Sequence, residues 1–230
     1  QGIWLAGPAL MMHGTKEQQD RWLPPMRTGD SRWCQLFSEP GAGSDLASLQ
    51  TRAVRDGDEY IINGQKIWTS GAEHAEWGIL LARTDPEAPK HRGITYFIID
   101  MKTPGINIRP LVNIMGSHHF CEVFFDDVRV PVECRIGEEN RGWYIATTTL
   151  DQERSSINRV VMTRSTLYNL IDYVREVPHL RDRAEIRHEL AERAIEFEVG
   201  RWLCYRVAQM QSEGKVPNYE ASISKVFGTE

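Results

Sequence analysis

The spacing of apolar residues changes twice along the chain, and no other feature limits its possible folds so tightly. Residues 1 to 30 read as helical. Thr15 and Gln18 have the spacing of a capping box, in which each side chain satisfies a backbone N–H left over at a helix start. The helix behind them carries Trp22 and Leu23 and is expected to end at Pro24-Pro25, because proline has no N–H to give. From about residue 33 to 131 the period is that of strands. Asn63-Gly64, inside EYIINGQKIW, is the strongest short hairpin signal, since both residues tolerate positive φ. WGILLART and GITYFIID read as short buried strands on either side of the turn-rich DPEAPKHRG, and CEVFFDDVRVP closes the series at Pro131. Short strands punctuated by turns predict an antiparallel barrel or sandwich.

After Gly142 the pattern becomes helical and stays so. One long helix is expected to reach about Glu176, before Pro178. A second runs from about 183 to 213, with Ile186, Leu190, Ala194 and Phe197 on one stripe and Gly214 closing it, and a third starts near Tyr219. Each apolar stripe needs a partner, and two and a half helices cannot close a bundle. The expected fold class is therefore α+β and multidomain: a helical N-terminal remnant over 1–30, a central antiparallel β-domain over 31–135, and the opening helices of a C-terminal bundle over 136–230. Gln1 and the helical pattern cut off at the last residues read as a partial chain, in which no targeting signal is legible.

Composition removes several classes of function. A formal net charge of −5 without a basic block gives no footprint for nucleic acid. The longest apolar runs are far too short to span a bilayer. Cys34, Cys121, Cys134 and Cys204 are scattered without a CxxC pair, which predicts free thiols in a reducing compartment. No metal site is expected: the histidines lack HxxxH spacing, and His118 and His119 point opposite ways in a strand.

Three stretches are suited to chemistry. EPGAGSD, residues 39–45, is neither a P-loop nor a dinucleotide fingerprint. Its glycines serve either a tight turn or a ligand lying against the backbone, with Ser38 and Ser44 offering hydroxyls. In QKIWTSGA, Trp68 beside Thr69 and Ser70 is either a core tryptophan or a flat apolar face for a planar heteroaromatic ring. In LDQERSSI, Leu150, Ile157 and Val161 line one helical stripe. Glu153 falls roughly 60° to one side and Arg154 about 40° to the other. These charges form either a solvated boundary or a carboxylate whose pKa an apolar site raises toward that of a base.

HGTKEQQDRWLPPMRTGD, LFSEPGAGSDLASL, GDEYIINGQKIWTSGA, DVRVPVECRIGEENRGW and the LDQER helix together resemble the acyl-CoA dehydrogenases, in order and in spacing. The resemblance covers about residues 8 to 160 and weakens beyond. It implies a helical domain, a middle β-domain and a C-terminal four-helix bundle. It further implies FAD, held by Gln35, Phe37, Ser38, Gly43 and Ser44 on one segment and by Trp68, Thr69 and Ser70 on another. Ser44 also matches a contact to the acyl-CoA thioester arm, and Asp151 and Arg154 match substrate-side positions. The implied reaction is α,β-dehydrogenation of an acyl-CoA to a 2-enoyl-CoA, with electrons passed to an electron-transfer flavoprotein. The implied setting is a homo- or hetero-tetramer in a bacterial cytoplasm or a mitochondrial matrix. Most members place the catalytic base beyond the reach of this sequence; a minority place it just before an arginine on the long helix, where Glu153 stands, and both placements stay open. One departure is visible. Where the family carries Arg-x-x-Phe-Gly to reach a neighbouring subunit's FAD pyrophosphate, this chain reads REVPHLRDRAEIRHEL. That departure keeps open a non-catalytic or half-site subunit of a mixed oligomer, and a flavin oxidase or monooxygenase on the same fold is the other alternative.

Overall fold

A computed structural model describes residues 1–154, 157–215 and 217–229; for 151–154 and 157–159 it describes the backbone alone. They form two compact units, Gln1–Leu150 and Asp151–Glu230.

The first unit opens with a π-helical turn, Gly2–Ala6, and the helices α1 (Gly7–His13) and α2 (Lys16–Thr28). The capping box forms as expected: Thr15 N donates to Gln18 Oε1 at 2.9 Å, and Gln18 N to Thr15 Oγ1 at 3.3 Å. The expected stop at Pro24-Pro25 does not occur. Both prolines sit inside α2, which ends at Gly29 with φ 81°. Each proline forfeits one helical bond, to the carbonyl of Asp20 or Arg21 four residues back, and the helix runs on for only three residues beyond them.

Eight strands follow: β1 (Trp33–Leu36), β2 (Arg52–Asp56), β3 (Glu59–Ser70), β4 (Trp77–Arg83), β5 (Ile94–Asp100), β6 (Ile106–Leu111), β7 (Phe120–Pro131) and β8 (Arg135–Ile136). They make one sheet in the order β6-β7-β3-β2-β4-β5-β8, with β1 joined to β4. The pairing is antiparallel except at β1–β4 and at the single Arg52–Arg83 pair between β2 and β4. β4 and β5, the uninterrupted apolar runs, are buried along nearly their whole length. Leu80, Leu81, Phe97 and Ile98 stand at the centre of the core.

The hairpin expected at Asn63-Gly64 lies elsewhere. Those residues are in the middle of β3, and the turn is Gly57-Asp58, between the paired residues Asp56 and Glu59, with Gly57 at φ 62°. Asn63-Gly64 instead faces an extra residue on β7, where the register shifts between Ile62–Val128 and Gly64–Phe125. Asn63 Nδ2 donates to Asp127 Oδ1, and Asp127 N donates to Asn63 Oδ1, both at 2.9 Å, while Asp127 takes φ 49°. The asparagine and glycine that look like a turn are used to hold a bulge.

α3 (Gly142–Arg154) belongs to the first unit as far as Leu150 and α4 (Ile157–Glu176) to the second; whether they form the one long helix expected turns on 155–156, outside the described residues. The short α5 (Pro178–Arg181), the long α6 (Ala184–Ser212) and α7 (Asn218–Phe227) follow. The stripe of Ile186, Leu190, Ala194 and Phe197 is only half-buried, and Ile195, Trp202 and Tyr219 are each more than 60% exposed. Among the described residues, no helix is long and apolar enough to cross a membrane.

Gly64 has φ +149°, and a Cβ there would meet Thr51 Oγ1 at 2.6 Å and Thr51 Cα at 2.7 Å. Gly64→Ala should therefore destabilise the protein by at least about 2 kcal/mol in denaturant unfolding; a loss under about 0.5 kcal/mol would contradict the packing described.

Candidate functional site

Beyond β1 the chain passes Phe37 and Ser38 and turns tightly through Glu39-Pro40-Gly41-Ala42. Glu39 N donates to Ala42 O at 2.9 Å, and Ala42 N returns a bond to Glu39 O at 3.0 Å. The turn is therefore real, but it does not account for the glycines. Gly41 and Gly43 have neither a left-handed φ nor any atom within 4 Å of where a Cβ would stand. Nothing in the chain itself forces either position to be small. The open space over this backbone is of the kind a close-lying ligand needs.

The facing segment is irregular for a different reason. In β3 the buried positions are Tyr60, Ile62, Lys66 and then Thr69, because the register with β7 shifts between Lys66–Val123 and Thr69–Cys121. Ile67 and Trp68 form the bulge, which re-aims the side chains beyond it. Trp68 takes φ 61°, a costly backbone state for a bulky residue, and leaves its indole 60% exposed against the edge of Phe120. Thr69 is buried, and its Oγ1 has no hydrogen-bond partner among the described residues. A strained, exposed aromatic followed by an unanswered buried hydroxyl marks a site.

Two buried cations hold the loop to the sheet. Lys66, fully buried on β3, donates to Phe37 O at 3.0 Å and to Glu39 Oε1 at 2.8 Å. Glu39 also accepts from Gln50 N at 2.6 Å and Thr51 N at 2.9 Å. Arg83, on β4, donates to Leu49 O at 3.0 Å and Ala47 O at 2.6 Å. Burial, partly answered by Glu39, pushes the Lys66 ammonium down to about 8. Burial works to raise the Glu39 carboxyl, but Lys66 and the two backbone donors outweigh it and hold it below the usual carboxylate range. Directly above Lys66, Ile67 N donates to Ser38 O at 2.9 Å, so the glycine loop and the Trp68 bulge are joined at their roots.

The residues singled out in the sequence divide three ways. Gln35, half-buried on β1, Ser38 and the Trp68–Ser70 segment come together around that joint. Ser70 is half-buried beside a 720 Å³ cleft that Arg32, Gly71, His74 and His118 also line. Phe37 turns its ring into the core against Tyr96, leaving only its backbone near the joint. Gly43 and Ser44 are exposed just beyond the turn in sequence. Asp151, Glu153 and Arg154 are on α3, and their side chains lie outside the described residues. Sequence reasoning missed Glu39, Lys66 and Arg83. A signal existed: Lys66 shares parity with the buried Tyr60 and Ile62, and a lysine in an inward register requires a partner.

Gly41→Ala and Gly43→Ala should each unfold within about 0.5 kcal/mol of the wild type; a larger loss would mean that the fold needs these glycines after all. A separate expectation concerns pH. The folded chain releases the Lys66 proton near 8, the unfolded chain near the ordinary 10.5. Across that window the unfolded state holds more protons, so this group's contribution to stability rises with pH. The unfolding free energy of the wild type should therefore climb relative to Lys66→Met between pH 8 and 10.5, and parallel curves would exclude the shift.

Two family models match the chain. The acyl-CoA dehydrogenase middle domain matches residues 34–128, and the acyl-CoA dehydrogenase C-terminal domain matches residues 140–230. The chain is 45% identical to acyl-CoA dehydrogenase FadE34 of Mycobacterium tuberculosis over 225 residues, covering 98% of this chain and 31% of that protein. Among solved structures it resembles the Tcur3481-Tcur3483 steroid ACAD with a TM-score of 0.89 at 36% identity, over 99% of this chain and 59% of the other. It also resembles the ChsE4-ChsE5 complex from Mycobacterium tuberculosis with a TM-score of 0.87 at 37% identity, over 99% of this chain and 60% of the other. The chain thus spans between about a third and three fifths of the length of these relatives.

Proposed function

Because this chain belongs to the acyl-CoA dehydrogenase family, we propose that it is part of an FAD-dependent enzyme that oxidises acyl-CoA thioesters to 2-enoyl-CoA. The observation that carries the reading is the pair of unforced glycines, Gly41 and Gly43, on a loop bonded at its root to the strained Trp68 bulge. An open backbone on one segment, and an exposed indole with an unanswered hydroxyl on the other, suit a flat ring with polar edges. Gln35, Ser38, Gly43, Ser44 and the backbone of Phe37 would hold FAD from the loop, and Trp68, Thr69 and Ser70 from the bulge. Bound there, FAD supplies the two-electron acceptor for the β-hydrogen of the thioester.

The chain's own residues then have separate tasks. The Trp68 indole covers one side of the ring and keeps water from it. The Thr69 hydroxyl, otherwise unanswered, gains a polar partner. Ser44 meets the thioester arm, with Asp151 and Arg154 holding the substrate from α3. Glu153 takes the α-proton, unless a glutamate in the rest of the protein does so. Electrons leave for an electron-transfer flavoprotein.

A second reading is favoured by one stretch: the chain contributes to an assembly of unlike subunits. In the segment that departs from the family's phosphate-reaching motif, Arg181 pairs with Asp182 at 3.0 Å and Arg183 with Glu185 at 2.6 Å. These guanidinium groups are engaged within their own chain, as an unneeded phosphate contact would leave them. The likeness to the ChsE4-ChsE5 complex supports the same view, and the likeness to a steroid ACAD supports a bulky acyl group.

The test is made on the full-length protein. It should purify yellow, or turn yellow with FAD, and reduce an artificial electron acceptor when given acyl-CoA. Trp68→Ala should weaken FAD binding roughly tenfold or more. A wild type that stays colourless in excess FAD would end the reading. Activity that appears only after co-expression with a related subunit would select the mixed assembly.

A further inference from the structure

Lys66 presents a problem that its contacts do not resolve. A fully buried ion pair is weak support for stability, since apolar residues of similar volume often do as well or better. Here the lysine is fully buried opposite the core residue Val123, where a methionine has the right length. The arrangement must therefore be judged by what it positions.

Three segments meet at the ammonium. Phe37 O fixes the end of β1, Glu39 Oε1 fixes the start of the glycine turn, and Lys66 itself leads into the Ile67-Trp68 bulge. Glu39 extends the tie to Gln50 and Thr51, the far end of the same loop. One residue on, Ile67 N closes on Ser38 O. The charged groups facing the ammonium are Glu39 from the loop and Arg83 from β4, the second of like sign. Arg83 spends its donors on Ala47 and Leu49 carbonyls, which leaves Glu39 to answer Lys66.

We propose that Lys66 is a positioning residue for the flavin slot: held between Phe37 O and Glu39 Oε1, it sets the gap between the loop carrying Ser38, Gly41 and Gly43 and the bulge carrying Trp68. This rests on the flavin reading of the site given above. Lys66 does not touch the slot. It acts through the Ser38–Ile67 bond and through the carboxylate that closes the loop. Neutralising the ammonium weakens both of its charge-assisted bonds while leaving the surrounding apolar packing in place, so the slot loosens without the sheet coming apart.

The full-length protein provides the test. In Lys66→Met, FAD binding should weaken about tenfold or more, as the loss of one charge-assisted bond at a shaped site implies. The protein should stay folded at a lowered melting temperature, because Glu39 keeps its two backbone donors but loses its counter-charge, and the Ile67 amide of the FAD-free protein should exchange with deuterium at least about tenfold faster. Glu39→Gln, which keeps one carbonyl oxygen for the Gln50 or the Thr51 N–H and removes the charge, should act in the same direction. Should either variant fail to fold, the wild type alone decides: FAD retention should fall as pH rises through about 8, where Lys66 loses its charge. Lys66→Met with wild-type FAD affinity and unchanged Ile67 exchange would overturn the proposal, as would FAD retention that is flat from pH 7 to 10. The flavin reading fails separately, when the wild type never binds FAD. In that case Ile67 exchange in Lys66→Met still decides whether the lysine positions the loop.

Discussion

A lysine can be buried only where something answers its charge, and in this protein the answer determines where the site is. The carboxylate that meets Lys66 is the first residue of the glycine turn, so the requirement for a counter-charge brings loop and sheet into register. The bond from Ile67 N to Ser38 O then follows from strand geometry. A second buried cation, Arg83, draws in the remainder of the loop by its carbonyls. Loop residues 39 to 51 are thus held by charge-assisted bonds as well as by Ala42, Leu46 and Leu49, whose side chains are buried in the core. That arrangement permits the loop to be nearly bare of side chains on the side where bareness is useful.

The sheet contributes by being irregular at two chosen places. On β7 the bulge opposite Asn63-Gly64 bends the strand pair and is braced by the Asn63–Asp127 bonds. On β3 the bulge at Ile67-Trp68 resets the inward register, so that Lys66 and Thr69 both point in and Trp68 is left out. Without that extra residue, strict alternation would bury position 68 along with 66. The exposed indole therefore follows from backbone register, and its left-handed φ is the local strain that the register imposes.

Much of this was legible from the chain alone, for reasons that differ by residue. Thr15 and Gln18 act within one turn of helix, so their spacing is sufficient. The apolar runs at β4 and β5 need only a period and a length. The EPGAGSD loop and the Trp68 segment stand out because a glycine run, and a tryptophan beside two hydroxyl residues, are locally unusual. What failed was anything decided by a distant partner. Asn63-Gly64 has the chemistry of a turn, and only the presence of β7 turns it into a bulge brace. Pro24-Pro25 should stop a helix, but α2 runs on through them to Thr28, with its Trp22 and Met26 buried in the core. The Lys66–Glu39 pair joins residues 27 positions apart, and Arg83 reaches 34 and 36 positions back. No window along the sequence contains both ends of these bonds.

The same bonds explain why a charged pair sits where an apolar one would fold as well. Apolar contacts are strong but undirected, and a methionine at 66 could pack against Phe37 or Glu39 at a range of separations. Hydrogen bonds from an ammonium favour donor–acceptor distances of about 2.7 to 3.2 Å and near-linear geometry, and weaken outside that range. A slot that accepts a rigid planar group needs its two walls at one separation, and it needs that separation before the group arrives. Directed bonds beneath the walls meet this requirement without placing any side chain inside the slot. On the proposed flavin reading, the unforced glycines, the strained tryptophan and the buried lysine are three consequences of one demand: two pieces of backbone must stand apart at a fixed distance with nothing of their own between them.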